Sequence, residues 1–338
     1  MTSVHNRSMR PTAAVTTALQ GAYGAAVRTG SVGTEHLLLG VARSSGGRLL
    51  EEFGVTGVTV AEILRQAGWT ATDEAAPGDD TGPLGDLEWF GAKQRKPMNY
   101  TGAARAALHR AIASATAAGG AGGTAERAEF GADDLLDALL AAPNRATEAL
   151  DRSGVDPRKV RDRLAGGPAP EAAPVPPDLR PTLDHLLGLS TYRTGSFGGR
   201  MAMRFLLAVA GNLARTPGPW ADLEARDQAG RLGHRKPATA HLVLALLAMH
   251  EVTSLRPHLV AGVTEKYAGA RALADTGATY AAARGALAVQ PPGRDPRRYR
   301  SYVDGRRDTT AVLAAILDGD TSAARLLAAL GVERPVLT

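Results

Sequence analysis

The chain has 338 residues, of which 44% are hydrophobic but only 4% are aromatic, and its formal net charge is +5. It contains no cysteine, which excludes disulfide bonds, thiolate metal ligands and cysteine nucleophiles and is typical of a reducing compartment. With so few aromatic rings the core must be built from leucine, valine and alanine, and a chain rich in leucine and alanine favours helices.

The N-terminal sequence carries no recognisable targeting signal. Its first residues, MTSVHNRSMRPTAAV, contain no apolar segment of the kind found in a signal peptide. The longest apolar runs, such as FLLAVAG, are far shorter than the roughly 18–20 residues that span a bilayer. We therefore expect a cytoplasmic protein without a membrane partner.

The first helical unit is predicted within residues 11–55. Residues 11–30 form one predicted helix, with Val15 and Leu19 on the same face. The next stretch is GTEHLLLGVARSSGGRLLEEFGV at 33–55. It consists of two apolar segments separated by a short polar break, and this pattern predicts two further helices.

Local signals mark where these helices begin and end. Thr34 is a suitable N-cap, and Glu35 in the first turn complements the helix dipole. Gly54 and Gly331 stand where a helix ends in a left-handed residue.

The same order of segments recurs three more times along the chain. The copies are GADDLLDALLAAPNRATEALDRSGV at 131–155, a looser copy that opens at 238–251 and closes at 269–287, and DTTAVLAAILDGDTSAARLLAALGV at 308–332. A second long helix is predicted over 100–120, in front of the second copy. Four related units in one chain indicate a repeat architecture.

Composition places the linkers between these units. Residues 70–97 are rich in glycine, aspartate and proline, and residues 169–181 form a Pro/Ala-rich tether. The predicted domains are therefore 1–168 and 182–338. The arginine-rich stretch at 293–307 is predicted to be a solvated connector.

The sequence GTEHLLLG at 33–40, preceded by a helix and followed by RLLEEFGV, resembles the Clp N-terminal (Clp repeat) domain. That domain stands at the front of the Clp-type AAA+ unfoldases. The resemblance implies an all-α fold of tandem Clp N-terminal-like domains, each of two pseudo-symmetric four-helix repeats, with the second domain degenerate. The repeats of the first domain would be 9–68 and 98–165, and residues 182–220 are left unexplained.

No motif for catalysis is found. An unfoldase motor needs a phosphate-binding G-x-x-x-x-G-K-[ST] loop, and the chain contains no Gly-Lys-Ser or Gly-Lys-Thr. The zinc-protease pattern fails at His250, which has no second histidine four residues later. His36 and His241 are expected to be packed, hydrogen-bonded residues. We expect no enzyme activity, no cofactor and no metal.

The resemblance implies a ligand-binding role for two acids. In the family, the acids of the two GTEH motifs are implicated in recognising phosphoarginine, and they correspond to Glu35 and Asp133. A carboxylate can pair with a guanidinium while a helix N-terminus holds the phosphate. The alternative is that Glu35 only favours the start of a helix.

The resemblance also implies a docking surface for adaptor proteins and antimicrobial cyclic peptides. Its positions correspond to Met9 in the first repeat and to Tyr100, Thr101 and Arg105 in the second. An exposed tyrosine or methionine is a good apolar anchor for a peptide. The alternative for Met9 and Tyr100 is packing in the core.

These features predict a non-catalytic binding protein that acts as a decoy or as an adaptor in the Clp protease system. Its partners would be Clp components, adaptors, tagged substrates or cyclic peptides, whereas nucleic acid is not expected. One alternative is a helical-repeat nucleic-acid-binding regulator that uses the basic stretch at 293–307. Another is a structural partner that docks on the Clp machine through the distal half.

Overall fold

The computed structural model describes residues 10–27, 29–69, 99–120, 129–171, 174–192, 212–333 and 335. Within them the fold is mostly helical, which confirms the predicted all-α class. The chain divides into two compact units, unit 1 from Met1 to Ala173 and unit 2 from Pro174 to Thr338. Each unit has a hydrophobic core of its own, built mainly from leucine, alanine and valine.

Unit 1 contains eight α-helices among its described residues. They are α1 (Ala13–Ala26), α2 (Thr34–Arg43), α3 (Arg48–Glu52), α4 (Gly57–Ala67), α5 (Gly102–Gly120), α6 (Ala132–Leu140), α7 (Arg145–Arg152) and α8 (Pro157–Leu164). Four strands of two residues each accompany them: β1 (Arg10–Pro11), β2 (Ser31–Val32), β3 (Asn99–Tyr100) and β4 (Glu129–Phe130). The sequence predicts no strand, because two residues are too few to show an alternating pattern.

The two halves of unit 1 contain the same order of elements and are joined reciprocally. β1 pairs with β4 and β2 pairs with β3, both in parallel. After β1 and after β3, the residue that precedes the next helix, α1 or α5, donates its N–H to a carbonyl of the opposite half. Thr12 N donates to Phe130 O over 3.2 Å, and Thr101 N donates to Val32 O over 3.0 Å. The start of α5 therefore lies beside the start of α2.

Unit 2 contains seven α-helices among its described residues. They are α9 (Arg180–Leu186), α10 (Pro217–Arg231), α11 (Thr239–Leu255), α12 (Ala268–Asp275), α13 (Tyr280–Val289), α14 (Thr309–Leu317) and α15 (Ser322–Ala329). The apolar residues of α11 surround the helix rather than lining one face, and such a helix belongs inside a core. Its residues from Thr239 to Met249 are all buried.

The predicted left-handed helix ends are confirmed. Gly54 and Gly331 have φ of +72° and +68°, a region that is costly for residues with a Cβ. In both, the N–H of the following valine returns to the last turn of the helix: Val55 N to Leu50 O and Val332 N to Leu327 O, each over 3.0 Å.

One type of hydrogen bond recurs in both units and joins a helix start in one half of a unit to a helix start in the other half. In three places the threonine at the first helical position accepts a backbone N–H through its hydroxyl. The pairs are Thr34 with Ala146, Thr239 with Ala323 and Thr309 with Ala270, at 3.2, 2.9 and 3.0 Å. We call each such meeting of helix starts a junction.

The fourth junction has no threonine. Ala132 begins α6, and a Cβ at Gly46 would overlap its methyl group. Two small residues therefore make by close packing the contact that the other three junctions make through a hydrogen bond.

Two predicted connectors contribute to the core of unit 2. Leu179 lies within the predicted linker 169–181 but is only 1% exposed, and α9 begins at the next residue. The stretch 293–307 is not simply solvated, because Tyr302 is fully buried.

The buried carboxylate of Glu224 on α10 connects this helix to α9 and to Tyr192, which follows α9. Glu224 is completely buried and accepts hydrogen bonds from Thr182 Oγ1 over 2.7 Å and Tyr192 OH over 2.6 Å. Gln228 and Arg231 on α10 donate to the same carboxylate. The bonds from Thr182 and Tyr192 attach residues 182–192 to α10, within the segment 182–220 that the resemblance leaves unexplained.

Candidate functional site: the junction of α2 and α7

The helix α2 begins at Thr34, with Gly33 in the N-cap position. Thr34 is therefore not the cap that its residue type predicts, and its hydroxyl accepts Ala146 N–H across the junction instead. The cap hydrogen bond is instead made by the third helical residue, because His36 Nδ1 accepts the N–H of Gly33 over 3.1 Å. His36 thus has the packed, hydrogen-bonded role that the sequence predicts.

Glu35 lies inside this junction and not on its surface. Its side chain is 3% exposed, and its Oε1 atom lies 3.3 Å from Arg145 Nη1 and 3.0 Å from His36 Nδ1. Arg145 opens α7 and its side chain is only 6% exposed. The acid that the resemblance assigns to a ligand guanidinium is therefore paired with a guanidinium of its own chain.

The glycine of the GTEH motif is explained by the same carboxylate. A Cβ at Gly33 would overlap both carboxylate oxygens of Glu35. The side chain of Glu35 therefore folds back over its own helix start, where the partial positive charge of the helix stabilises an anion.

The charge of Glu35 is retained in spite of its burial. Burial acts to raise the pKa of this carboxyl group. The neighbouring His36 ring, a backbone N–H and the charge of Arg145 act in the opposite direction, and the pKa of Glu35 lies below its ordinary value. The other oxygen, Oε2, is buried and has no hydrogen-bond partner.

An aromatic ring completes the environment of Arg145. The guanidinium carbon of Arg145 lies 5.6 Å from the centre of the Trp69 ring, and that of Arg152 lies 5.0 Å from the same ring. Both distances are within the range of a cation–π contact. Trp69 directly follows the end of α4, so the junction draws residues from three elements of unit 1.

The other three junctions are built without such an ion pair. When the copies are aligned on the glycines that end their third helices, the residues at the places of Glu35 and Arg145 can be compared. They are Asp133 with Ser45, Ala240 with Ser322, and Thr310 with Ala268. The fold therefore does not require a buried charge pair at a junction.

The remaining predicted site residues are distributed over both halves of unit 1. Asp133 is exposed at the start of α6, and Asp134 is the residue that accepts the N–H of Gly131, over 2.7 Å. Because β4 pairs with β1, Asp133 lies near the start of α1, whereas Glu35 lies near the start of α5. Met9 lies outside the described residues.

Tyr100 and Thr101 lie where the start of α5 meets the start of α2. Tyr100 is half-buried against the core of unit 1, and this burial raises the pKa of its phenol. Thr101 is fully buried, and its hydroxyl accepts Ala104 N–H over 3.2 Å as a helix cap. Arg105 is half-buried one turn further along α5. Of the three, Tyr100 offers the clearest apolar surface.

The start of α11 repeats the histidine cap of α2. His241 Nδ1 accepts Ala238 N–H over 2.9 Å, and its Nε2 lies 2.8 Å from His234 Nδ1. Burial is the main reason that the pKa of His241 falls to about 4, and the charge of His234 adds to this effect. Among the described residues, no group of three or more potential ligands is arranged to hold a metal ion.

Sequence analysis found Glu35 but missed Arg145 and Trp69. Arg145 could have been noticed from the repeat alignment, since it is a charged residue at a place where the other copies have serine or alanine. Trp69 gives no such signal, because it follows a helix end and precedes a glycine-rich stretch.

No protein-family model matches this chain, and the search of curated proteins finds no significant match. In the part of the chain that the structure describes, no helix has both the length and the apolar character to cross a membrane.

Proposed function

We propose that this chain is a non-catalytic binding protein with two Clp N-terminal-like domains, the second of them degenerate. It would bind ligands of the Clp unfoldase N-domain in the cytoplasm and, without a motor, act as a decoy or an adaptor. The observation that carries the proposal is the reciprocal arrangement of unit 1, in which the start of each long helix is bonded to the opposite half. The repeated junctions and helix ends support it further.

The geometry favours a peptide over phosphoarginine as the ligand. Glu35 already pairs with Arg145, so an incoming guanidinium would have to displace a buried one. Phosphoarginine binding therefore depends on opening the junction. Tyr100, by contrast, is half-buried and presents part of its ring beside two helix starts, as an anchor for an apolar peptide would.

The test is isothermal titration of the full chain with an antimicrobial cyclic peptide that binds Clp unfoldase N-domains. We expect saturable binding, with at least a tenfold loss of affinity in Tyr100→Ala. Tyr23→Ala is the matched control, since Tyr23 is also a half-buried tyrosine of unit 1 but lies on α1. No heat with the wild-type chain, or equal losses in both variants, would remove the proposed surface.

A competition experiment tests the decoy role. A labelled cyclic peptide is first bound to the N-domain of a Clp unfoldase, and the chain is then added in excess. A decoy lowers the fraction of peptide bound to the unfoldase domain, whereas an adaptor forms a ternary complex that retains it. Native gel electrophoresis with the labelled peptide distinguishes the two outcomes.

A further inference from the structure

The net positive charge of the chain belongs to unit 2. From Pro174 onward the sequence has 21 lysines and arginines against 14 acids, whereas the residues before it have 18 against 20. Such an asymmetry between two halves is typical of proteins in which one half meets a polyanion.

The stretch 293–307 presents its charges unequally. Asp295, which belongs to it, faces inward and bonds to two helix starts. Its Oδ2 accepts Thr239 N–H over 2.8 Å, and its Oδ1 accepts Ser322 N–H over 2.7 Å. The next acid after the stretch, Asp308, caps α14 by accepting Ala311 N–H. These two carboxylates are therefore committed to helix starts.

Four arginines of the same stretch are exposed without an ionic partner in the described part of the chain. Arg294, Arg298, Arg300 and Arg307 are exposed, and none of them makes an ion pair among the described residues. We call these four the arginine face. Asp304 is the exposed acid among them. The face therefore has an excess of positive charge.

Neighbouring elements hold the stretch in place. Arg294 O accepts a hydrogen bond from Arg325 on α15 over 3.0 Å, and Arg226 on α10 lies 5.4 Å from the centre of the Tyr299 ring. Tyr302 is buried in the core of unit 2. The arginines are thus carried by a packed backbone and not by a free tail, which reduces the entropy lost on binding.

The aromatic rings of the stretch decide between modes of recognition. Single-stranded nucleic acids are bound by stacking their bases on exposed rings. Tyr302 is buried, and Tyr299 is partly covered by Arg226, so this face offers no open stacking platform. Exposed guanidinium groups carried on one stretch of chain, without open rings beside them, suit the phosphates of a duplex.

We propose that the arginine face of unit 2 binds the phosphate backbone of double-stranded nucleic acid without reading its sequence. The site is separate from the peptide surface of unit 1, and its test is independent of the proposed function. Four phosphate contacts predict a slope of about −4 in a plot of log affinity against log salt concentration. This slope corresponds to a loss of about 10²-fold in affinity between 50 and 200 mM salt.

The experiment is fluorescence anisotropy of a labelled 30-base-pair DNA duplex of arbitrary sequence, titrated with the full chain at several salt concentrations. In Arg298→Gln/Arg300→Gln we expect at least a tenfold loss of affinity and a slope lower by about 2. The matched control is Arg158→Gln/Lys159→Gln, which removes two exposed charges from α8 of unit 1. We expect this control to change affinity less than threefold.

Three outcomes would overturn the proposal. The first is the absence of duplex binding at 50 mM salt, and the second is an equal loss in the control variant. The third is a preference for another polyanion. Tighter binding of single-stranded oligo-dT would show a stacking site, and equally tight binding of polyglutamate would show a surface for acidic polypeptides.

Discussion

At the scale of single residues, the buried pair of Glu35 and Arg145 distinguishes the first junction from the other three. A buried ion pair is no better for stability than well-packed apolar residues of the same volume, because both charges lose their hydration. The junctions with Ala240 and Ser322 or with Thr310 and Ala268 confirm that the fold can do without one. The fold of a junction therefore does not explain why this pair is present.

Removing one member of this pair tests how far the junction depends on it. Arg145→Ala leaves the Glu35 carboxylate buried without its guanidinium, and we expect the free energy of unfolding of unit 1 to fall by about 3–5 kcal/mol. Urea unfolding followed by circular dichroism measures the change. Arg161→Ala is the control, because its ion pair with Asp137 is about half exposed and should cost about 1 kcal/mol or less.

The single and double variants together separate pairing from packing. In Glu35→Leu/Arg145→Leu neither charge remains, and we expect a smaller loss of stability than in Arg145→Ala. If Arg145→Ala costs no more than Arg161→Ala, the two charges do not stabilise each other. In that case Glu35 would be available to an external guanidinium.

His241 gives unit 2 a predictable dependence on pH. Its pKa in the fold is about 4, below the ordinary value of 6.5, so folding favours the neutral ring. Stability from this group is complete above pH 6.5 and is lost as the pH falls from 6.5 towards 4, because the unfolded chain then binds the proton more readily. The loss is about 3 kcal/mol, since one unit of pKa corresponds to about 1.4 kcal/mol.

His241→Gln is the informative variant for this pH dependence. Glutamine at the third helical position can still accept the N–H of Ala238, but it does not titrate. We expect the melting temperature of unit 2 to change less between pH 7 and pH 4.5 in this variant than in the wild-type chain. Equal shifts in both proteins would assign the pH dependence to other groups, with His234 and Asp295 as the neighbours to examine next.

At the scale of helices and strands, local chemistry determines where each element stops. The glycines that end the third helices combine a positive φ with backbone bonds to the last turn, as at Gly331. A Cβ at this glycine would meet no neighbouring atom, so only the backbone conformation resists substitution.

Gly331→Ala and Gly285→Ala form a pair of variants with opposite expected signs. At Gly331 alanine must adopt φ near +68°, which should lower the free energy of unfolding by about 1–2 kcal/mol. Gly285 lies within α13 with open space around it, so alanine there should raise stability by up to about 1 kcal/mol. Thermal melts of both variants measure the difference, and an unchanged or raised stability in Gly331→Ala would contradict the assignment of Gly331 as a left-handed helix end.

The features that could be predicted from the sequence are those set by neighbouring residues. The helix over 100–120, the ends at Gly54 and Gly331 and the packed, hydrogen-bonded state of His36 each depend on contacts within a few positions. The strands could not be predicted, because each has two residues and its partner belongs to the other half of the unit.

The candidate site shows the same limit. Glu35 could be selected from its motif, but its partner Arg145 is 110 positions away. Burial of Glu35, the orientation of Asp295 and the cover over Tyr299 all follow from packing between distant segments. The sequence pattern therefore identifies the helix α2, which carries Glu35, but it does not identify Arg145 as the charge that pairs with Glu35.

At the scale of the whole molecule, the two units combine similar junctions with different charge. Unit 1 is slightly acidic and contains the Glu35–Arg145 pair, whereas unit 2 is basic and presents the arginine face. This difference assigns the proposed peptide surface and the proposed duplex surface to different units. Each surface can then be altered without changing the other.

The separate cores predict that each unit folds without the other. Segments 1–173 and 174–338 each contain a complete hydrophobic cluster and are within the usual size of a domain. Expressed alone, each should unfold cooperatively in urea with the helical circular dichroism signal of a folded domain. Because the arginine face belongs to 174–338, this segment should retain duplex binding while 1–173 does not. A non-cooperative transition in either segment would show that the core it contains is insufficient, since all contacts within that core are present in the segment.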